Sequence, residues 1–265
     1  MLSPSVLPSL LWHHLFMDKA TWIGLAVGFG GIIAGNLLEG GHMGSLLQLT
    51  AFIIVMAGTI GAVMVSSTEK DLKTGMSLAK KAFNKEPSVL KERIHEIVEC
   101  ARFVRKENIL ALEPRLNSVR DPFLKGILKN LVDGVPKDTI REIFENKIDT
   151  DENELLGGAK IWTDAGGYAP TIGIIGAVLG LIHVMGNLTD TSKLGGGIAV
   201  AFVATVYGVA SANLLFLPLG SKLKKKVQAI SHEKQMILEG GLLVDSDMNP
   251  LIIEQKLNSY LQKES

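Results

Sequence analysis

Tyr168-Ala169-Pro170-Thr171-Ile172-Gly173-Ile174-Ile175-Gly176-Ala177-Val178-Leu179-Gly180-Leu181-Ile182-His183-Val184-Met185-Gly186-Asn187-Leu188 contains no Lys, Arg, Asp or Glu. It has the length, roughly 20 residues, that a helix needs to cross a bilayer. Three other stretches read the same way, at about 21–38, 46–65 and 195–219, and none carries a charge inside its apolar run. Buried helices of a soluble protein could look similar singly, but four of this length argue for membrane spans. The whole chain agrees: 265 residues, charged residues at 20% and a mean hydropathy of +0.27 suit a multi-span protein rather than one soluble core.

Working outward, the spans pair into two hairpins. Residues 37–45 join the first pair and 187–194 the second, with only Glu39 in one connector and Asp190 and Lys193 in the other. A long polar segment, 66–165, separates the hairpins. After the fourth span comes Ser221-Lys222-Leu223-Lys224-Lys225-Lys226. Basic residues at the end of a span mark the cytoplasmic side. That puts both termini and the middle segment inside the cell and the short connectors outside. The expected fold is an all-α membrane protein: four transmembrane helices in two hairpins with a helical cytoplasmic domain between them. Its expected divisions are an extension at 1–16, hairpin 1 at 17–65, the cytoplasmic domain at 66–167, hairpin 2 at 168–219 and a cytoplasmic helical tail at 220–265.

The middle segment reads as helices throughout. Leu72, Met76, Ala79 and Phe83 recur at helical spacing, and Pro87-Ser88 restarts a helix with Leu90, Ile94, Ile97, Val98 and Ala101 on one face. Asp121-Pro122 opens another and Asp133-Gly134 ends it. Pro136 begins a last one, running towards Leu156. Gly157-Gly158 and Gly166-Gly167 read as flanking a turn. Residues 1–16 lack the basic and small-residue marks of a signal peptide. They read as a short extension, or Met17 is an alternative start.

Zero net charge offers no basic surface for nucleic acid. The single cysteine, Cys100, excludes an internal disulfide and reads as a reduced cytoplasmic residue without special role. Phosphate-loop and metal-ligand spacings are missing, so an enzyme and a cofactor are not expected. Gly173, Gly176 and Gly180 form one small-residue stripe, and Ala201, Ala204, Gly208 and Ala212 another. Such stripes let helices approach closely in lipid, against each other or around another subunit. Pro170 and Pro218 sit at the inner ends of the third and fourth spans. Each is either a plain helix start or stop, or a hinge. Thr205 and Tyr207 are polar groups midway along the fourth span. Thr205 either bonds its own helix or faces an ion path. His183 reads as a packed side chain. An ion path across a membrane needs an ionisable group, and the apolar runs hold no carboxylate, so a partner must supply it.

Met17-Asp18-Lys19-Ala20-Thr21-Trp22-Ile23-Gly24-Leu25 resembles the opening of MotA/PomA proteins, and Gly58-Thr59-Ile60-Gly61-Ala62 is similar to their second span, with Ala57 in place of a Gly. Arg105-Lys106-Glu107-Asn108-Ile109-Leu110-Ala111-Leu112-Glu113 resembles their A-R-K-x-G-x-L-A-L-E segment, with Asn108 where Gly is usual. Asp121-Pro122-Phe123, Val132-Asp133-Gly134, the opening of the third span, and Thr205-Val206-Tyr207-Gly208-Val209 with Ala212-Asn213 complete a match from Met17 to the tail. The resemblance implies a flagellar stator subunit in the bacterial inner membrane. About five copies would surround two copies of a MotB/PomB-type partner, which supplies the ion-carrying Asp, and their cytoplasmic domains would push the rotor protein FliG. It further implies Arg105, Lys106 and Glu113 as rotor-contacting charges, Pro170 and Pro218 as coupling prolines, and Thr205, Ala177 and Tyr207 on the ion path.

The runner-up is a TolQ/ExbB-type motor subunit energising outer-membrane processes. That type shares the last two spans' pattern but typically has three spans. A substrate transporter would need more polar residues within the spans. For the ion, sodium-driven members of the family carry Thr at the places held here by Ala177 and Ala204, leaving Thr205 alone. Protons are therefore expected, with sodium as the alternative.

Overall fold

The computed structural model describes residues 19–82, 89–186, 188 and 191–261. The expected extension at 1–16, Met17 and Asp18, the restart at Pro87-Ser88, and Asn187 and Asp190 of the second connector lie outside them. Among the described residues the elements are helical: α1 (Lys19–Leu38), α2 (Met43–Leu46), α3 (Leu49–Ser66), α4 (Glu69–Ala82), α5 (Leu90–Lys106), a 3-10 segment (Leu110–Ser118), α6 (Pro122–Val132), α7 (Lys137–Met185), α8 (Thr191–Ser211), a π-helical segment (Ala212–Phe216), α9 (Leu217–Val244) and α10 (Pro250–Leu261). Among the described residues four helices are long and apolar enough to cross a membrane.

Contacts divide the chain into two compact units. One contains 1–85 with 154–225, the other 86–153 with 226–265. In the first unit, α3 buries Ala51, Val55, Thr59 and Val63, four residues at intervals of four and therefore on one face. Ala51 and Val55 pack on Val203 and Ala204 of α8, and Val63 packs on Ile161 and Ala165 of α7. The α4 backbone approaches α7 so closely that a methyl on Gly75 would lie 2.4 Å from the Gly158 carbonyl oxygen. The Trp162 indole donates to the Gly75 carbonyl across this contact, at 3.0 Å. By contrast α1 is exposed for most of its length. It meets the π segment through Gly28 and Leu214 and is tied at its start by Lys222 donating to Thr21.

Several sequence expectations are corrected here. No turn interrupts 137–185: α7 is one helix of 49 residues. The helix expected to end near Leu156 continues through both glycine pairs, and Gly157, Gly158 and Gly166 serve contacts in which a side chain would not fit, whereas a methyl on Gly167 would meet nothing within 4 Å. A methyl on Gly157 would lie 2.4 Å from the Asp71 carboxylate, and one on Gly166 would lie 2.5 Å from Leu217. Pro170 lies inside the helix, so it is not a helix start. Pro218 is no stop either. It is the second residue of α9, and the preceding π turn, closed by Leu217 N–H donating to the Ala212 carbonyl, absorbs the extra residue that lets the chain run on through the proline. The helices that carry the second and fourth spans start at Leu49 and Thr191, and a short helical turn, α2, occupies the first connector.

The second unit is a helical domain around one apolar core. Ile94, Ile97, Val98 and Ala101 of α5 pack with Leu112 and Leu116, with Leu124, Ile127 and Leu128 of α6, and with Ile140, Phe144 and Ile148 of α7. Met236, Ile237 and Leu242 of α9 and Ile253 and Leu257 of α10 belong to the same core. Residues 226–265, the greater part of the segment read from sequence as a separate tail, belong to this unit with residues 86–153. Asp121 caps α6, its carboxylate accepting from Phe123 N at 2.9 Å and Leu124 N at 2.8 Å. Gly134, at φ 76°, takes the left-handed turn that ends it.

Candidate functional site

The expected site residues fall in both units, and each group is built by its own local structure. In the membrane unit, the seam between α7 and α8 is made almost wholly of backbone. A methyl on Gly173 would lie 2.9 Å from the Ala204 carbonyl oxygen, one on Gly180 2.8 Å from the Gly197 carbonyl oxygen, and one on Gly208 2.5 Å from the Ala169 carbonyl oxygen. The two small-residue stripes therefore face each other, and lone carbonyl dipoles replace side chains along the contact. Small residues on both faces let the two backbones approach this closely.

Thr205 lies beside this seam, half-buried, its hydroxyl donating to the Ala201 carbonyl at 3.3 Å. The proton is spent on its own helix, while the oxygen lone pairs stay available to a cation or a water. Ala177, also half-buried, follows Gly176, whose added methyl would meet Ala204 at 2.7 Å. Tyr207 does something the sequence did not reveal. Its hydroxyl donates to the Leu46 carbonyl and accepts from Gln48 N at 3.3 Å, and Phe52 packs edge-on against its ring, centroids 6.2 Å apart. Tyr207 thereby pins the start of α3 to α8. His183 is exposed on the chain.

Pro170 and Pro218 flank one helix crossing. Gly166 of α7 meets Leu217 of α9, and Gly220 of α9 meets Thr163 of α7, where an added methyl would lie 3.0 Å from Thr163 N. Trp162 and Phe216 stack beside it at 6.3 Å. A proline removes the donor that would satisfy the carbonyl four residues earlier, so each helix is missing one backbone bond near this crossing. The π segment ahead of Pro218 had no sequence signal other than the proline itself.

In the second unit Arg105 and Lys106 end α5 and Glu113 lies in the 3-10 segment, all three exposed. Leu112 and Leu116 on the buried side, with Asn108 accepting from Ala111 N at 2.9 Å, hold that segment rigid. Arg115 lies over the Phe103 ring at 3.9 Å and shows that not every charge here is free to reach out. An open cavity of about 670 Å³ beside it is lined by Arg93, His95, Glu96, Glu99, Cys100 and Arg115, among others. Arg93 pairs with Glu96 at 3.5 Å and Asp121 at 3.3 Å, and His95 with Glu99 at 3.2 Å. Burial, with Glu96 and Glu99 adding to it, pushes the Cys100 thiol up to about 11, which suits the inert role expected for it. Among the described residues no group of three or more His, Cys, Asp or Glu could hold a metal ion.

Residues 115–236 match the model described as "MotA/TolQ/ExbB proton channel family", and residues 22–106 match "Motility protein A N-terminal". "Motility protein A" of Bacillus subtilis (strain 168) is 37% identical over 246 residues, spanning 92% of this chain and 91% of that protein. Among solved structures, the chain is similar to C. jejuni MotAB, with a TM-score of 0.85 at 34% identity over 92% of this chain and 96% of that one. It is also similar to the flagellar MotAB stator complex from Bacillus subtilis, with a TM-score of 0.84 at 36% identity over 93% and 97%.

Proposed function

The chain belongs to the motility protein A family, within the MotA/TolQ/ExbB proton channel group, and on that premise we propose that it couples cation flow through a flagellar stator to torque on the rotor. The observation that carries this is the similarity to solved MotAB chains along nearly its full length. The match of residues 22–106 to the motility N-terminal model favours it over a TolQ/ExbB-type motor subunit. The spans hold no carboxylate, so a MotB-type partner contributes the acid, and this chain contributes the closely seamed helices around it.

In this reading α7 and α8 surround the partner's helix, in a ring of about five copies around two, in the inner membrane with both termini cytoplasmic. A cation binding and leaving the partner's carboxylate changes the charge beside Thr205. The change is passed along α7 and α9 through the crossing flanked by Pro170 and Pro218, where a missing backbone bond makes bending cheapest. Arg105, Lys106 and Glu113 then push charged groups of FliG. They are exposed, so their worth to folding is roughly 0–1 kcal/mol, whereas a charge-steered contact fails on reversal. The test is Arg105→Glu and Glu113→Lys, singly and together, with reversals of charged residues in FliG. The expected outcome is normal membrane levels, lost swimming, and partial rescue by a reversal in FliG. Unchanged swimming in the double variant would remove these residues from the rotor contact. The conducted ion is the proton, because Ala177 and Ala204 offer no hydroxyl to sodium. Swimming that stops in sodium-free buffer and survives a protonophore in sodium buffer would overturn that.

A further inference from the structure

Most lysines of the first unit are matched to a carboxylate. Lys70 pairs with Glu154 at 2.8 Å, Lys73 with Glu69 at 2.5 Å and Lys160 with Asp164 at 2.6 Å. The basic run at the start of α9 is different. Lys222 donates to the Thr21 hydroxyl at the start of α1. Lys224 and Lys225 are exposed, and neither makes an ion pair or side-chain hydrogen bond among the described residues. Successive residues of a helix are about 100° apart. Lys225 therefore lies about 60° from Lys222 and one turn further along, on the side of α9 that meets α1. Lys224 lies about 160° from Lys222, on the other side of the helix.

The neighbouring face of α1 is built for lipid. Thr21, Leu25 and Gly28 form its half-buried side, with Gly28 against Leu214. Trp22, next to Thr21, is 48% exposed, and Ile23 and Val27 beyond it are more so. The Thr21–Lys222 bond thus brings together, at one membrane boundary, a basic edge, an exposed indole and an exposed apolar face leading into the hydrocarbon. Tryptophan favours the headgroup level of a bilayer, and basic groups beside a span attract anionic headgroups. We propose that Lys222 and Lys225 of α9, with Trp22 of α1, form a site for the headgroup of an anionic phospholipid, whose acyl chains lie along the exposed face of α1. Lys225 supplies the ammonium that no carboxylate among the described residues neutralises, and Lys222 fixes the two helices on which the site stands. A soluble anion would satisfy the lysines but leave Trp22, Ile23 and Val27 uncovered, which is why a lipid fits the whole surface.

The experiment reconstitutes the full chain, co-expressed with its partner subunit, in bilayers of phosphatidylcholine and phosphatidylglycerol. One lipid at a time carries bromine on its acyl chains, and bromine quenches tryptophan at short range. In the parent, brominated phosphatidylglycerol is expected to quench more strongly than brominated phosphatidylcholine at equal mole fraction. Trp22→Phe should remove that difference, because Trp22 reports it. Lys225→Gln should lower the preference for phosphatidylglycerol about five-fold at low salt, whereas Lys225→Arg and Lys224→Gln should keep most of it. Equal quenching by the two lipids in the parent would overturn the proposal. So would a difference that survives Trp22→Phe, which places the lipid elsewhere. A loss in Lys224→Gln as large as in Lys225→Gln would reduce the effect to diffuse positive charge and overturn the site. Inorganic phosphate, added at constant ionic strength, should leave the preference unchanged; its loss would mean that the lysines take free phosphate rather than lipid. Lys225 is exposed, so Tm of the Lys225→Gln complex in phosphatidylcholine should match the parent, and a lowered Tm would assign Lys225 to the fold instead.

Discussion

Replacing Gly208 by Ala adds one methyl at the tightest point of the α7–α8 seam. That methyl would lie 2.5 Å from the Ala169 carbonyl oxygen, 3.1 Å from Gly173 Cα and 3.3 Å from Ala169 C. All three are backbone atoms, so no rotamer change can clear them and the helices must separate. Overpacking of this kind costs about 1–3 kcal/mol, and the better helix propensity of Ala returns up to about 1 kcal/mol. The net expectation is a loss of roughly 1–2 kcal/mol. Gly31 of α1 is the control, because nothing lies within 4 Å of the methyl it would gain, and there Ala should be neutral or slightly stabilising. The assay is denaturant unfolding of the purified complex in mild detergent, followed by fluorescence of its tryptophans, with swimming-plate expansion measured in parallel. Gly208→Ala should unfold at lower denaturant and spread more slowly than Gly31→Ala. A Gly208→Ala complex as stable as the control would refute the claim that backbone contact sets this seam.

Three further outcomes follow from the second unit. Cys100 should resist alkylation: with its thiol near 11, only about a thousandth is thiolate at pH 8, so iodoacetamide should label the native complex far more slowly than the unfolded chain, and equal rates would contradict the burial. Asp121→Ala removes the cap on two α6 N–H groups and a partner of Arg93, so stability should fall by about 2 kcal/mol, with Asp121→Asn falling less; matching unfolding midpoints for the parent and Asp121→Ala would show the cap to be dispensable. The Lys256 ammonium, and with it Arg141, holds the Glu239 carboxyl below the ordinary value of 4.5 against the opposing effect of burial. A depressed acid stabilises the fold above its unfolded-state value and loses that contribution as pH falls through the folded one. Glu239→Gln should therefore lower stability near neutral pH and flatten the acid limb below about pH 4.5, and parallel pH profiles for parent and variant would exclude this group from the pH dependence.

The sequence by itself determined the class and the outline. Uncharged apolar runs near bilayer length can hardly be satisfied except as helices in lipid, and the glycine and alanine stripes announced a close seam because only small residues permit one. Asp121-Pro122 and Asp133-Gly134 marked the ends of α6 because capping is local chemistry, readable from adjacent residues. The family resemblance was legible in the order of short motifs from Met17 to Asn213. What only the tertiary structure decided depended on partners distant in the chain. Gly157-Gly158 and Gly166-Gly167 look like turn residues in isolation and proved to be helical, and α4 presses against Gly157 and Gly158, and Leu217 against Gly166, where a side chain would not fit. Pro218 looks like a stop, and a π turn carries the helix through it. Tyr207 reads from sequence as one polar group of the fourth span, and only the fold shows its hydroxyl engaged by the backbone at Leu46 and Gln48, more than 150 residues away in sequence. Thr59 reads as one letter of a motif, and its hydroxyl is buried without a partner among the described residues only because α3 packs against α7 and α8. Helix periodicity and capping depend on neighbours within a turn, whereas burial, register and the fate of a single hydroxyl depend on which distant helix arrives opposite.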